Sequence, residues 1–317
     1  KEQMNILVSG GFGYLGSHIC NYLLRKGYKV TILSRSRHTE LNEWSRQFEV
    51  IIGDVSDYKS IENCCRNINV VIHTAALNEV ECAVKSKEAL LTNGYGTRNL
   101  LEEASENKVD KFIYFSTFHV YGIPGINLIT EEILPTPLTD YAITHYLAEL
   151  YCQKFYKGKK IKGCILRLSN GYEAPLFKSI NRWTLIVNQL CLMSFSQKKI
   201  ILKSKGNQQR DFVAIKDVLQ GVQMFISNQE EYSDTSHIYN LGGENSISMI
   251  SVAELIAKIY QERYYEIIPV QIADVEAETG ASMPFRFSID KIKKLGYCPT
   301  AIMRDEIHQI FKILESE

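Results

Sequence analysis

Short apolar runs alternate with amphipathic stretches through the first half of this chain. Met4–Val8, Lys29–Leu33, Phe48–Ile52, Val70–His73, Lys111–Phe115 and Lys162–Leu168 read as strands. Val70–His73 is apolar without a break, which suits a strand buried on both faces. Between the strands lie helical patterns. The first carries Leu15, Ile19, Leu23 and Leu24 on one face. Others fall near Asp57–Cys65, with Asp57 as cap, across Lys85–Asn107, and from Thr139-Asp140 to about Tyr156. Strands alternating with helices predict an α/β fold whose doubly wound, mainly parallel sheet has seven strands and binds its ligand at the carboxyl edge. Pro124, Pro135 and Pro137 mark a loop. Beyond Pro175 the pattern loosens into a helix at 178–195, strands at Ile200–Leu202 and Asp211–Ala214, a helix at 216–227, a strand at 237–241, and helices at 250–262, 290–296 and 303–315. The expected division is 1–175 and 176–317. The smaller second lobe binds substrate, and some of its later strands and helices complete the sheet. No Gly/Ser-rich or Pro-rich spacer separates the two.

The stretch that organises the chain follows the first strand: Ser9-Gly10-Gly11-Phe12-Gly13-Tyr14-Leu15-Gly16. A G-x-x-G-x-x-G turn between a strand and a helix is the context of a dinucleotide site. Gly10 permits the tight turn, Gly13 lets backbone N–H groups approach a pyrophosphate, and Gly16 lets the helix pack close to the sheet. The helix N-terminus then offers unpaired N–H groups and a favourable dipole to the phosphates. The expected fold is therefore Rossmann-like.

Composition narrows the partners. Lys+Arg and Asp+Glu both number 36, so no basic field marks a nucleic-acid partner. No apolar run reaches the ~18 residues of a membrane span. The N-terminal apolar run is a strand rather than a signal peptide, which points to a cytoplasmic protein. Eight scattered cysteines form no C-x-x-C. Reduced thiols fit them better than a metal site or disulfides, so no metal is expected.

Tyr141 and His145 lie four apart on one helix and share a face. Thr117 follows the fifth strand. A tyrosine, a hydroxyl residue and a positive group make a hydride-transfer site. The tyrosine exchanges a proton with a substrate hydroxyl, the threonine holds that oxygen, and the cation lowers the tyrosine pKa.

These motifs together resemble the extended short-chain dehydrogenase/reductases that act on nucleotide sugars, over nearly the whole length. Gly10–Gly16, including Phe12, Tyr14 and Leu15, resembles the family's cofactor turn. Gly53-Asp54-Val55 resembles its adenine-side acid segment, and His73-Thr74-Ala75-Ala76 its cofactor-lining turn. Asn93-Gly94-Tyr95-Gly96-Thr97 resembles its N-x-x-G-T helix. Phe115–Gly122 resembles S-[ST]-x-x-V-Y-G, with Thr117 at the catalytic hydroxyl. Arg167–Tyr172 resembles R-x-x-N-x-Y, whose Asn, here Asn170, contacts the sugar nucleotide. Arg210-Asp211-Phe212-Val213 resembles R-D-F-V, whose Arg grips the diphosphate. Arg286 is a candidate for the opposite jaw. The resemblance implies NAD(P), a nucleotide-diphosphate sugar, hydride transfer at a sugar carbon, C4 first, and a homodimer joined by a four-helix bundle. That bundle would use Leu90, Leu91, Leu100, Leu101, Leu147, Leu150 and Tyr151 from the stretches 85–107 and 139–156.

The chain departs from the family in two places. Its Y-x-x-x-K reads Tyr141-Ala142-Ile143-Thr144-His145. Imidazole is shorter than lysine and mostly neutral at pH 7. It could hold a ribose hydroxyl but would depress the tyrosine pKa less. A cofactor-binding protein without turnover is the competing reading. Second, Phe118-His119 stands where the family's dehydratases carry Asp-Glu. Phe118 cannot donate a proton, so dehydration is not expected. His119 is either an extra acid/base or an ordinary loop histidine. Epimerisation, reduction and oxidation all remain open. The end of strand two reads Leu33-Ser34-Arg35-Ser36-Arg37. No carboxylate there repels a 2′-phosphate, and Arg35 or Arg37 could bind one or stack on adenine, so NAD and NADP both stay open.

Overall fold

The computed structural model describes residues 3–122, 127–227, 237–273 and 286–316. Pro124 lies outside them. Seven strands form the central sheet: β1 (Asn5–Ser9), β2 (Lys29–Ser34), β3 (Glu49–Ile52), β4 (Val70–His73), β5 (Lys111–Thr117), β6 (Lys162–Leu168) and β7 (Ile238–Leu241). Their order is β7-β6-β5-β4-β1-β2-β3. The pairings β2–β3, β1–β2, β1–β4, β4–β5 and β5–β6 are all parallel. Strand order reverses at β1, so the connections leaving β1 and β4 part at the carboxyl edge, where doubly wound sheets bind ligands. Every residue of β4 is buried, as its unbroken apolar run requires.

The chain divides into two compact units. One comprises Lys1–Pro124, Glu131–Leu168 and Val222–Tyr239. The other comprises Gly125–Thr130, Ser169–Gly221 and Asn240–Glu317. In the first, helix α1 (Tyr14–Arg25) buries Ile19 and Leu23. Helix α2 (Gly96–Glu106) follows a helical run from Ser86 whose Leu90–Tyr95 portion is π-helical. Helix α3 (Asp140–Lys157) starts at Thr139, whose hydroxyl accepts from the Ala142 N–H. The core against these helices contains Leu7, Val71, Leu100, Leu101, Phe112, Tyr114, Ala148, Phe155 and Ile165.

In the second unit Gln209–Ala214 pairs parallel with Asn170–Tyr172 and antiparallel with Ser246–Ser248. Helices Ile186–Gln197, Met249–Tyr264 and Met303–Glu315 share a core built on Val187, Ile256, Ile259, Ile307, Ile310 and Phe311.

Several boundaries differ from the sequence reading. The expected helix at 178–195 begins only at Ile186. The helix capped by Asp57 spans only Tyr58–Ile61, although the cap itself is present. Asn170–Tyr172, Val270–Ile272 and the pairing of Leu128–Ile129 with Arg286–Phe287 carry no period-2 signal long enough to read.

Candidate active site

The turn after β1 is built from close backbone approach. Gly10 has φ +72°, and a Cβ there would lie 2.9 Å from the Ala75 Cα. A Cβ on Gly16 would overlap the Gly10 carbonyl oxygen, so α1 can meet the turn only with glycine there. Gly13 differs. It is the N-cap of α1, it has no side-chain cap bond, and its nearest neighbour for an added Cβ is the Gly10 oxygen at 3.1 Å. The packed interior therefore demands Gly10 and Gly16, while at Gly13 it leaves the α1 N-terminus bare. Gly11, to which sequence reasoning gave no task, is as crowded as Gly10: its Cβ would lie 2.9 Å from the Ile32 side chain. Phe12 is buried beside His38 and Trp44, and Tyr14 stacks edge-on with His18. Leu15 is half-buried in the first turn of α1.

The cofactor-lining turn after β4 is tied to β1 by a buried histidine. Ser9 Oγ lies 2.6 Å from His73 Nδ1, and His73 Nε2 lies 2.9 Å from Thr97 Oγ1. The Thr97 hydroxyl gives its hydrogen to the Asn93 carbonyl at 2.6 Å. Ser9 Oγ also accepts from the N–H groups of Thr74 and Ala75. Burial, then repulsion from His145, pulls the His73 pKa down to about 3, so it is neutral. With the one Thr97 hydrogen used, His73 must donate from Nε2 and accept at Nδ1. Thr74 and Ala75 are thereby held against the end of β1.

Some candidates have structural tasks. The Asn93 side chain accepts from Leu77 N–H at 2.7 Å and donates to Thr144 Oγ1 at 3.1 Å; these contacts lock the loop before the helix at Glu79. Its amide is committed inside the fold rather than offered to a cofactor. Asp54 Oδ1 accepts from both the N–H and the hydroxyl of Ser56. Val55 is buried, and its side chain packs where Gly96 lacks a Cβ. Ser34 is half-buried at the end of β2, and Arg35 and Arg37 are exposed.

Tyr141 and His145 do share a face of α3, with ring centroids 4.6 Å apart and an edge-on angle of 69°. His119 joins them, 5.9 Å from the Tyr141 ring. Thr117 ends β5 and caps the turn Phe118–Tyr121, accepting from the His119 N–H. His119, Tyr141 and His145 thus form one ring cluster at the carboxyl edge of β5, and Thr117 starts the turn that carries His119. His145 is 5% exposed. Its Nδ1 lies 2.6 Å from the hydroxyl of Tyr114, while its Nε2 is buried without a hydrogen-bond partner among the described residues. Burial is the main cause that lowers its pKa, to about 4. It is therefore neutral at pH 7 and supplies none of the positive charge that a lysine would. Tyr114 itself escaped sequence reasoning, because nothing separates it from the other apolar positions of β5.

The residues present fit a dinucleotide on two counts. The α1 N-terminus is bare at Gly13, and His145 carries an orphaned buried nitrogen, which costs about 1–3 kcal/mol unless a ligand meets it.

In the second unit, Asn170 donates to the Asp211 carbonyl at 2.9 Å. Arg210 is half-buried and touches Gln208 Oε1 at 3.4 Å. It pairs with neither nearby acid. Asp211 accepts from the N–H groups of Gly243 and Asn245, and Asp217 from those of Thr300 and Ala301. Arg286 is engaged with Asp290 at 2.8 Å and Glu244 at 3.4 Å.

Among the described residues, Cys64, Cys65 and Glu103 lie within metal-ligand spacing. The Cys64 thiol and burial raise the Cys65 pKa far above its usual range, and burial also raises that of Glu103. Glu103 already accepts from Asn107 at 2.8 Å.

Residues 6–242 match the NAD dependent epimerase/dehydratase family, and the chain belongs to it. It is 29% identical over 314 residues to a putative UDP-glucose 4-epimerase of Methanocaldococcus jannaschii, covering 96% of each chain. It is 24% identical to the human dTDP-D-glucose 4,6-dehydratase, covering 95% of this chain and 87% of that one. The match to the Dictyostelium discoideum dTDP-D-glucose 4,6-dehydratase spans 62% of that protein's length. Among solved structures, the Thermotoga maritima UDP-glucose 4-epimerase with UDP-glucose superposes with a TM-score of 0.84 at 22% identity, covering 98% of both chains. The Bacillus cereus UDP-glucuronic acid 4-epimerase with UDP-glucuronic acid and NAD gives 0.82 at 24%, covering 98% of this chain and 99% of that one. Among the described residues no helix is long and apolar enough to cross a membrane.

Proposed function

We propose that this chain is an NAD(P)-dependent enzyme that exchanges hydride at C4 of a nucleotide-diphosphate sugar, as an epimerase, reductase or dehydrogenase. The observation that carries this reading is the edge-on pair of Tyr141 and His145 beside the turn that begins at Thr117. In this reading Tyr141 exchanges a proton with the sugar hydroxyl, and Thr117 holds that oxygen. The bound nicotinamide supplies the hydride chemistry. The α1 N-terminus at Gly10, Gly13 and Gly16 holds the pyrophosphate. His145 donates from Nε2 to a ribose hydroxyl. Phe118 has no proton to give, which favours hydride exchange alone over water elimination. Relatives named as epimerases and crystallised with UDP-sugars and NAD support the substrate class and the cofactor.

The assembly we propose is a homodimer paired through α3 and the helical run before α2. Leu90, Leu91, Tyr95, Ile143 and Leu150 are each 41–47% exposed there, a single apolar face on neighbouring helices. Leu100 and Leu101, expected on that face, are instead fully buried in the core. Tyr151 packs partly against that core. Leu147 covers the bare Cα of Gly94.

The test is mass spectrometry of the nucleotide released on denaturing the purified protein, with turnover of UDP- and dTDP-hexoses by wild type and Tyr141→Phe. A released dinucleotide and a loss of at least about 100-fold in Tyr141→Phe support the reading. Full activity in Tyr141→Phe would remove the assigned acid/base. A bound dinucleotide without turnover of any sugar would favour a non-catalytic cofactor protein.

A further inference from the structure

We propose that Tyr114 is a positioning residue for His145: its hydroxyl hydrogen, given to Nδ1, fixes the tautomer that carries hydrogen on Nε2 and makes that nitrogen a donor to a ribose hydroxyl oxygen. This rests on the cofactor reading above and specifies how an imidazole does the work expected of a lysine.

The argument follows the hydrogens. Tyr114 is 3% exposed on β5. Its hydroxyl lies 2.6 Å from His145 Nδ1. That length suits an O–H donor better than an N–H donor, whose bonds cluster near ~2.9–3.0 Å. The neighbouring Thr97 hydroxyl has already given its hydrogen to Asn93, and its oxygen receives His73 Nε2. Thr97 also bonds the Tyr114 hydroxyl, and the short 2.6 Å contact to Nδ1 is what directs the phenol hydrogen to His145. The phenol remains protonated, because burial raises its pKa well above the usual value. A neutral imidazole that accepts at Nδ1 carries its hydrogen at Nε2. That nitrogen is the atom left buried and unmatched. The groups acting on His145 are Tyr114, the Tyr141 ring on its own helix, Glu79, His119 and His73. Among the described residues only Tyr114 bonds its ring nitrogen. Lysine would present three donors and a charge; here a fixed N–H provides one donor and no charge.

The test reads the imidazole nitrogens of the whole chain by 15N–1H correlation at pH 7, together with NADH affinity by fluorescence titration. Expected in wild type is hydrogen on Nε2 of His145. Tyr114→Phe should release the tautomer, seen as mixed nitrogen signals, and weaken NADH three- to tenfold. Hydrogen on Nδ1 in wild type would overturn the proposal, and this needs no variant to fold. NADH affinity unchanged in Tyr114→Phe but reduced in His145→Ala would also overturn it, leaving the cofactor reading in place. Unchanged affinity in His145→Ala would instead remove His145 from the cofactor site, and the proposal with it.

Discussion

Arg167 on β6 and Glu149 on α3 form a two-pronged ion pair sealed from water, with Nε–Oε1 at 3.0 Å and Nη2–Oε2 at 2.7 Å. Their side chains are 1% and 0% exposed. Ser116, next to Thr117, donates to the same carboxylate at 2.5 Å, and the guanidinium lies over the Tyr121 ring at 4.6 Å. One pair therefore joins the helix of Tyr141 and His145 to the strand end that carries Thr117. Glu149→Gln leaves a buried guanidinium uncompensated and should cost about 3–5 kcal/mol. Replacing both partners, as in Glu149→Leu with Arg167→Met, should recover most of that stability but not the registration of Thr117. Urea unfolding of the three proteins measures this. A single-variant loss below about 1 kcal/mol would mean that the pair is not sealed.

The glycines of the turn should separate by function. Gly16→Ala must displace the Gly10 backbone and should unfold the first unit. Gly13→Val meets the Gly10 carbonyl oxygen tightly, at 3.1 Å from its Cβ, but without the overlap found at Gly16, and its branched side chain occupies the space left for a phosphate. It should lose less thermal stability than Gly16→Ala and abolish NADH binding. Thermal melts and fluorescence titration of both variants decide the matter, and full affinity in Gly13→Val would count against the dinucleotide reading as a whole.

Acid should weaken the fold through its buried histidines. His145 titrates at about 4 and His73 at about 3 in the folded chain, against about 6.5 in an unfolded one. Between these values the unfolded state binds the extra protons. Their contribution is therefore complete above about pH 6.5 and is lost as pH falls toward 4 and then 3. His145→Gln should flatten the stability–pH slope between pH 6 and 4.5 by about 1.4 kcal/mol per unit. Urea titrations at several pH values read the slopes. Equal slopes in variant and wild type would show that the fold does not hold His145 neutral.

How far the sequence reached depended on whether a signal was local. The alternation of β1–β5 with helices, the glycine turn and the Tyr141–His145 spacing are local, and the structure has them in place. What escaped depends on tertiary contact. Tyr114 reads as one more apolar residue of β5 until α2, β4 and α3 bring Thr97, His73 and His145 around it. Asn93 matches a motif, yet only the folded loop reveals its amide bonded to Leu77 and Thr144. Leu100 and Leu91 look alike in sequence; π-helical turns before Gly96 shift the phase, and one is buried while the other faces out.

That outward face gives an assembly prediction. Leu150 is 46% exposed on α3. Leu150→Glu places a charge in the centre of the proposed dimer face and should produce a monomer at micromolar concentration by light scattering. The folded core is untouched, so its melting temperature should change only through lost association. Wild type that is already monomeric at that concentration would refute the dimer.

Arg210 and Arg286 were both candidates for gripping a diphosphate, and their surroundings now distinguish them. Arg286 is held between Asp290 and Glu244, and Glu244 is shared with Lys293 at 2.8 Å. Its charge is compensated within its own unit. Among the described residues Arg210 has no carboxylate partner, only the Gln208 amide oxygen, and burial lowers its pKa. A half-buried guanidinium without a counter-charge is costly by itself and is suited to phosphate oxygens, which match its planar fork. Arg210→Ala should raise the KM for the sugar nucleotide at least tenfold, about 1.4 kcal/mol, and leave NADH affinity near wild type. Arg286→Ala should change KM by less than threefold. Removing Arg210 takes an uncompensated charge out of the unit, so its melting temperature should hold or rise. Unchanged KM in Arg210→Ala would remove it from the substrate site. Equal loss of sugar-nucleotide and NADH affinity would assign it to the cofactor instead.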